Sequence, residues 1–307
     1  MVDKNGANIL LFALDKLKWK TKELCRSEDK KEKKDLESIV KYLFNELKKY
    51  IDLYQLDPDG DGLIHVSVCT DLYKITEELL GDEEMKVYPN KGGETPLHLA
   101  ANAGNLKAVE LLFKHRPTES QQHLSLELKD SGLTPMMLAC GSDSGDVELV
   151  RSLKDKGARL DEVTCQGNTC VVQAVSRDNV EIYQEIIPHL PEEFIMKSPS
   201  PMLENIIDYM FFVGAKDVLV SELLKSKEDG IKKFKITDKQ LKIASKFAAV
   251  EFIEFLYDLG IDIRLVNHNL RKECEQVCRN LEGNIDEQDP YSREFMDTYT
   301  LEVLGDL

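Results

Sequence analysis

The chain has 307 residues, 42% of them hydrophobic, with 40 basic and 56 acidic side chains for a net charge of −16. This composition excludes a disordered chain; the acid excess excludes binding by phosphate neutralisation, which needs surplus Lys and Arg, and opposes docking on an anionic membrane. The length suits two domains or a repeat array, with core enough to fold without staples.

The head of the chain differs from the body. Residues 1–50 carry 13 basic and 9 acidic groups, so the remainder holds a net −20. Apolar spacing predicts amphipathic helices over 5–24 and 35–54, with the charged run 28–34 as a solvated loop between them. In the second, Leu36, Ile39, Val40, Leu43, Phe44 and Leu47 recur at helical intervals. Together 1–56 form a divergent N-terminal helical cap, against which Trp19 is expected to bury. The apolar run 9–14 follows Asp3 and Lys4 and is too short for a signal peptide. No apolar stretch reaches the ~18–20 residues of a membrane helix. A cytoplasmic chain is expected, with no membrane contact of its own.

Next comes Asp57-Pro58-Asp59-Gly60-Asp61-Gly62-Leu63-Ile64. It matches the first half of a helix-flanked calcium loop, with Asp57, Asp59 and Asp61 as candidate metal ligands. The twelfth position, which should supply a bidentate Glu, is Val68. The competing reading is a tight hairpin with Gly60 at its tip; the two are compatible.

From here the chain repeats. Gly93-Glu94-Thr95-Pro96-Leu97-His98-Leu99-Ala100-Ala101 is followed by Gly104-Asn105 and then Val109, Leu111 and Leu112. Gly132-Leu133-Thr134-Pro135-Met136-Met137-Leu138-Ala139-Cys140 echoes it, Gly167-Asn168-Thr169 with Ala174 more weakly, and the 57–65 block precedes it. The glycines at 60, 93, 132 and 167 stand 33, 39 and 35 apart; the alanines at 100, 139, 174 and 244 stand 39, 35 and 70 apart. Seventy is twice 35, which places one further degenerate unit between 199 and 224. Thr95 reads as an N-cap and Pro96 as the first helical residue, where its missing donor is harmless. Gly104 reads as a left-handed turn between two helices. Ala100 and Ala101 are small where the helices pack, and one such unit cannot bury its own face.

These blocks resemble the ankyrin repeat family, over about 57–263. The resemblance implies an all-α helical repeat solenoid with short hairpin loops. Its units fall near 57–89, 90–128, 129–161, 162–197, 198–232 and 233–263, and 264–307 forms a C-terminal helix and acidic tail. It implies a structural role for His98 and His65, tying neighbouring units. It also implies partner contacts on a concave face, beside each hairpin glycine and just after the double alanine. Carried onto this sequence, these are Asp59, Asp61, Lys91, Glu94, Asn102, Ala103, Leu133, Asp143, Asn168, Ser176 and Arg177.

The seven cysteines lack CxxC spacing and gather no histidines, so buried reduced thiols are expected rather than a zinc site. Ser198-Pro199-Ser200-Pro201 reads as turn chemistry or a proline-directed phosphorylation pattern. Gly-rich phosphate loops, G-x-S-x-G and H-E-x-x-H are absent. The expected function is a non-enzymatic protein-interaction scaffold without cofactor. Its acid-rich first unit favours a basic protein partner over nucleic acid. The alternative is a regulatory or calcium-tuned module of a larger protein, such as a membrane channel.

Overall fold

The computed structural model describes residues 13–14, 16, 30–50, 52–128, 130–197, 203–228, 237–247, 252 and 255–256. They fall into two compact units, Met1–Ser200 and Pro201–Leu307, described separately. Among the described residues all regular structure is helical.

In the first unit α1 spans Lys30–Leu47. It begins inside the run expected as a loop and stops seven residues short of the expected end. Lys and Glu are strong helix formers, and Glu37 pairs with Lys41 one turn on, so charge density here favours helix. Val40 and Phe44 bury, one turn apart. Trp19 lies outside the described residues.

Helix pairs follow. Helices α2 (Leu63–Ser67) and α3 (Tyr73–Gly81) form the first, and α4 (Pro96–Asn102) and α5 (Leu106–His115) the second. After a short extra helix α6 (Pro117–His123) come α7 (Pro135–Cys140) with α8 (Val147–Asp155). The last pair is α9 (Cys170–Ser176) with α10 (Val180–Ile186), followed by a 3-10 turn and α11 (Glu192–Ile195). Helix α6 accounts for the 39-residue interval.

The three later pairs of this unit start the same way, whereas α2 follows Gly62 without a side-chain cap. The hydroxyls of Thr95, Thr134 and Thr169 accept the N–H groups of His98, Met137 and Val172, and Pro96 and Pro135 open their helices. Each satisfies one orphan donor of a short helix. The second helices use a different set of caps: Asn105, Asp146 and Asn179 accept from Ala108, Leu149 and Ile182. The Nδ2 of Asn105 also donates to the carbonyls of Val68 (2.9 Å) and Thr70 (3.0 Å), binding its pair to the one before. The apolar stripes close into one core: Leu63, Ile64, Leu97, Ala100, Ala101, Met136, Ala139, Cys140, Val171 and Ala174 are all essentially inaccessible.

In the second unit α12 (Ile206–Val213) and α13 (Lys216–Glu228) join through Gly214, at φ +72°. Helix α14 spans Asp238–Phe247, and Phe211 meets Phe252 edge to face at 5.6 Å. Helices α12 and α13 begin inside the 199–224 interval where a degenerate unit is expected, and the cap spacing differs from the one the alanine arithmetic gave. The N-caps are Asn205, which accepts from Asp208, and Thr237, which accepts from Gln240. Ala244 therefore sits seven residues past its cap, whereas Ala100 sits five past Thr95. Close packing selected a small residue one half-turn later. Residues 198–202 and the stretch 264–307 lie outside the described residues, as do Cys274 and Cys278.

Candidate partner-binding surface

The hairpins are built by one repeated pair of bonds. Asp57 N–H donates to the Asp61 carbonyl and Gly60 N–H to the Asp57 carbonyl; Asn90, Gly93 and Glu94 repeat this, as do Thr164, Gly167 and Asn168. All three glycines have φ between +81° and +86°, a region where a Cβ is penalised. The leading side chain braces each turn. Asp57 Oδ1 accepts from Asp59 N (2.9 Å) and Asp61 N (2.8 Å), Asn90 Oδ1 from Glu94 N, and Thr164 Oγ1 from Asn168 N.

This bears on the calcium loop. The Asp57 carboxylate is engaged by its own turn. Among the described residues no three His, Cys, Asp or Glu side chains converge as a metal site. The Asp61 carboxylate is engaged by Asn90, and Asp59 is exposed.

Adjacent hairpins are laced together. Lys91 N–H donates to the Asp59 carbonyl at 2.9 Å, and Lys91 Nζ to the Pro58 carbonyl. Asn90 Nδ2 reaches both Asp61 Oδ1 and Glu94 Oε2 at 2.8 Å. So Asp59, Asp61, Lys91 and Glu94 form one connected patch. Leu133 and Asn168 occupy corresponding places beside later hairpin glycines, both half-buried.

The other candidates lie at the opposite ends of the first helices, about 10 Å away along α4 at 1.5 Å per residue. Asn102 and Ala103 are exposed at the end of α4. Asp143 and Ser176–Arg177 edge an open groove of about 630 Å³ between the loop after α7 and the loop after α9. Arg177 Nη1 meets Asp143 Oδ1 at 2.9 Å. Ser142, Ser144, Asn179 and Glu181 also line this groove. The loops nest tightly: a Cβ on Gly104 would fall 1.8 Å from Ser144 Oγ. Gly104 and Gly145 have φ near +60°, and Asp178 holds the matching position at φ +51° without being glycine. None of the eleven candidates is buried. They form two rows, one at each end of the first helices.

The histidines sit behind these rows. His98 is fully buried. Its Nδ1 accepts from Thr95, and its Nε2 donates to the Leu126 carbonyl at 2.9 Å. His65 makes the same pair of bonds with Gly62 and the Tyr88 carbonyl. Burial pushes the His98 pKa down to about 4, aided by the nearby His123; burial lowers His123 likewise. Neutral, doubly bonded imidazoles fit a structural role.

Of the cysteines, Cys165 is exposed and Cys170 buried, so this sequence pair separates. Cys170 instead meets Cys140, whose side chain, with burial, raises its thiol pKa.

Sequence reasoning missed the node around Asp208. This carboxylate is 2% exposed and binds Lys239 Nζ (2.9 Å), Gln240 Nε2 (3.2 Å) and Glu204 N (3.1 Å). Burial works to raise its pKa, but these donors together hold it below the usual carboxylate range. The signal was the Asn205-x-x-Asp208 spacing, an N-cap followed by an acid three residues on.

Comparison with known proteins agrees with the repeat geometry. Residues 30–123 match a family model described as ankyrin repeats, in three copies. Over 92 residues the chain is 35% identical to the probable 26S proteasome regulatory subunit p28 of Saccharomyces cerevisiae, a stretch covering 29% of this chain and 39% of that protein. The match thus spans about two-fifths of that relative's length. The crystal structure of the human ASB11 ankyrin repeat domain aligns with a TM-score of 0.49 at 19% identity, over 65% of this chain and 84% of that one. The ankyrin repeat domain of Bcl-3 aligns with a TM-score of 0.49 at 16% identity, over 83% and 100% respectively. Among the described residues no helix is long and apolar enough to cross a membrane.

Proposed function

We propose, from the premise that this chain carries ankyrin repeats, that it is a non-enzymatic scaffold for a protein partner. Ankyrin repeats in general mediate protein–protein contacts. The partner would lie across the two rows described above, from the hairpin row of Asp59, Asp61, Lys91, Glu94, Leu133 and Asn168 to the opposite row of Asn102, Ala103 and the groove edged by Asp143, Ser176 and Arg177. The observation that carries this reading is the segregation of roles. The first helices bury their apolar stripe, while side chains at both their ends stay accessible and, Ala103 and Leu133 apart, polar.

Capture from the native source, by the parent and by a Lys91→Glu, Asn102→Arg, Arg177→Glu variant, tests this. A partner lost only by the variant, with unchanged melting, supports the surface. A partner retained by the variant rejects this surface, and capture of nucleic acid in place of protein rejects the scaffold.

A second reading is a regulatory module within a larger cytoplasmic assembly. The similarity to a proteasome regulatory subunit favours it. Co-sedimentation of the chain with proteasome-sized particles is the expected result; sedimentation as a free chain in native extract removes it.

A further inference from the structure

The first unit exposes apolar side chains in a pattern that the two rows do not explain. Between 52 and 197 the exposed large apolar residues are Tyr54, Leu56, Tyr88, Leu126, Val163 and Met196. All but Met196 lie just ahead of a hairpin. Leu56 and Val163 immediately precede the braced residues Asp57 and Thr164; Tyr88 lies two residues ahead of Asn90, and Leu126 two ahead of Leu128. Leu128 N–H donates to the Leu133 carbonyl, so it opens the hairpin that Asn90 opens one unit earlier.

The placement is fixed by the fold. The carbonyls of Tyr88 and Leu126 are held by His65 and His98, respectively. The backbone is therefore pinned at the same point in successive units, and the side chain is turned to solvent. Leu56 rests beside Gly62, at the foot of α2. Tyr88 is 65% exposed and Leu56 57%. Tyr88 and Leu126 thus hold the equivalent place in two successive units, while Leu56 and Val163 sit one residue nearer the hairpin in the units on either side; an exposed apolar side chain ahead of four successive hairpins is a recurrence that scattered surface apolars do not show.

The charge around this row is one-sided. The stretches 52–61, 82–94, 125–132 and 159–168 contain twelve acidic residues and four basic ones. Glu83, Glu84, Glu127, Asp130 and Asp161 are exposed. Arg159, one of the four cations, is paired with Asp161.

The geometry points to a docking strip for an extended, basic segment of a partner protein. Its apolar side chains would cover Leu56, Tyr88, Leu126 and Val163 in turn, and its Lys or Arg residues would face the flanking acids. Apolar contact supplies area and the charges supply orientation and choice of partner. This rests on the scaffold reading and adds a location and a partner chemistry.

The test uses the full chain and three labelled peptides: alternating Leu and Lys, alternating Ser and Lys, and alternating Leu and Glu. Fluorescence anisotropy should show the Leu/Lys peptide binding about tenfold or more tighter than either control. Tyr88→Ser with Leu126→Ser should weaken it about tenfold while leaving the melting temperature in place. Glu83→Lys with Glu84→Lys should weaken the Leu/Lys peptide and favour the Leu/Glu one. Equal binding of the Ser/Lys peptide would show charge attraction alone and overturn the strip. So would absence of Leu/Lys binding, or undiminished binding by the Tyr88, Leu126 variant. If that variant binds normally while Asn102→Arg with Arg177→Glu does not, the strip fails and the scaffold reading stands.

Discussion

His98 donates its Nε2 proton to the carbonyl of Leu126, 28 residues ahead, at 2.9 Å. The bond crosses from one helix pair to the hairpin segment of the next, and it demands a neutral ring whose Nδ1 faces Thr95.

That arrangement predicts an acid-sensitive fold. The folded pKa of His98 lies at about 4, below the ordinary value near 6.5. The folded state binds fewer protons, so the contribution is complete above pH 6.5 and is lost as pH falls toward 4. The loss amounts to about 3 kcal/mol at roughly 1.4 kcal/mol per unit. Thermal melts across this window should show it. His98→Gln should start lower and slope less, the remaining slope arising in part from His123.

Gly104 should resist replacement. It sits at φ +65°, and an added Cβ would collide with Ser144. Gly104→Ala should cost about 1–3 kcal/mol, from left-handed strain and overpacking. Adding Ser144→Gly should restore the packing part only. Urea melts of the two variants separate the terms.

Asp178 presents the opposite case. It holds a left-handed φ of +51° where the two preceding units use Gly104 and Gly145. Asp178→Gly should stabilise the fold by about 0.5–1 kcal/mol, by removing the Cβ penalty. A lower midpoint in urea would show that the carboxylate contributes more than the strain.

Asp208 should anchor the second unit. Asp208→Ala removes an acceptor for Lys239, Gln240 and the Glu204 N–H together. A loss of about 2–3 kcal/mol is expected from several charge-assisted bonds. Because the folded pKa is depressed, parent stability should hold above pH 4 and fall below it, and the Asp208→Ala variant should lose less over that range.

The Thr95–Ala101 block was legible because each of its residues meets a distinct physical requirement, whether cap, first turn, tie or close packing. The second-helix caps were harder to see, since Asp146 replaces the asparagine of Asn105 and Asn179 and stands twelve rather than ten residues past its threonine. Helix α6 was visible only as excess length. Ala244 misled, because a small residue marks close packing without marking register. The charged run ahead of Asp35 reads as a loop by its polarity, although its residues favour helix. The fold sets the site residues in two rows, whereas the apolar strip needed burial to be seen, since Leu56 or Tyr88 reads in sequence like any core residue.

Met137 stands where the two earlier units carry their tying imidazole. Its thioether side chain cannot donate a proton to a carbonyl. The array is therefore stapled across its first two joints and lacks that staple at the third. Thermal opening should begin at α9 and α10, so that the C-terminal pair exchanges its amide protons before the segment around His65 and His98 does. The groove at Asp143 and Arg177 straddles that joint, so the proposed partner would close it.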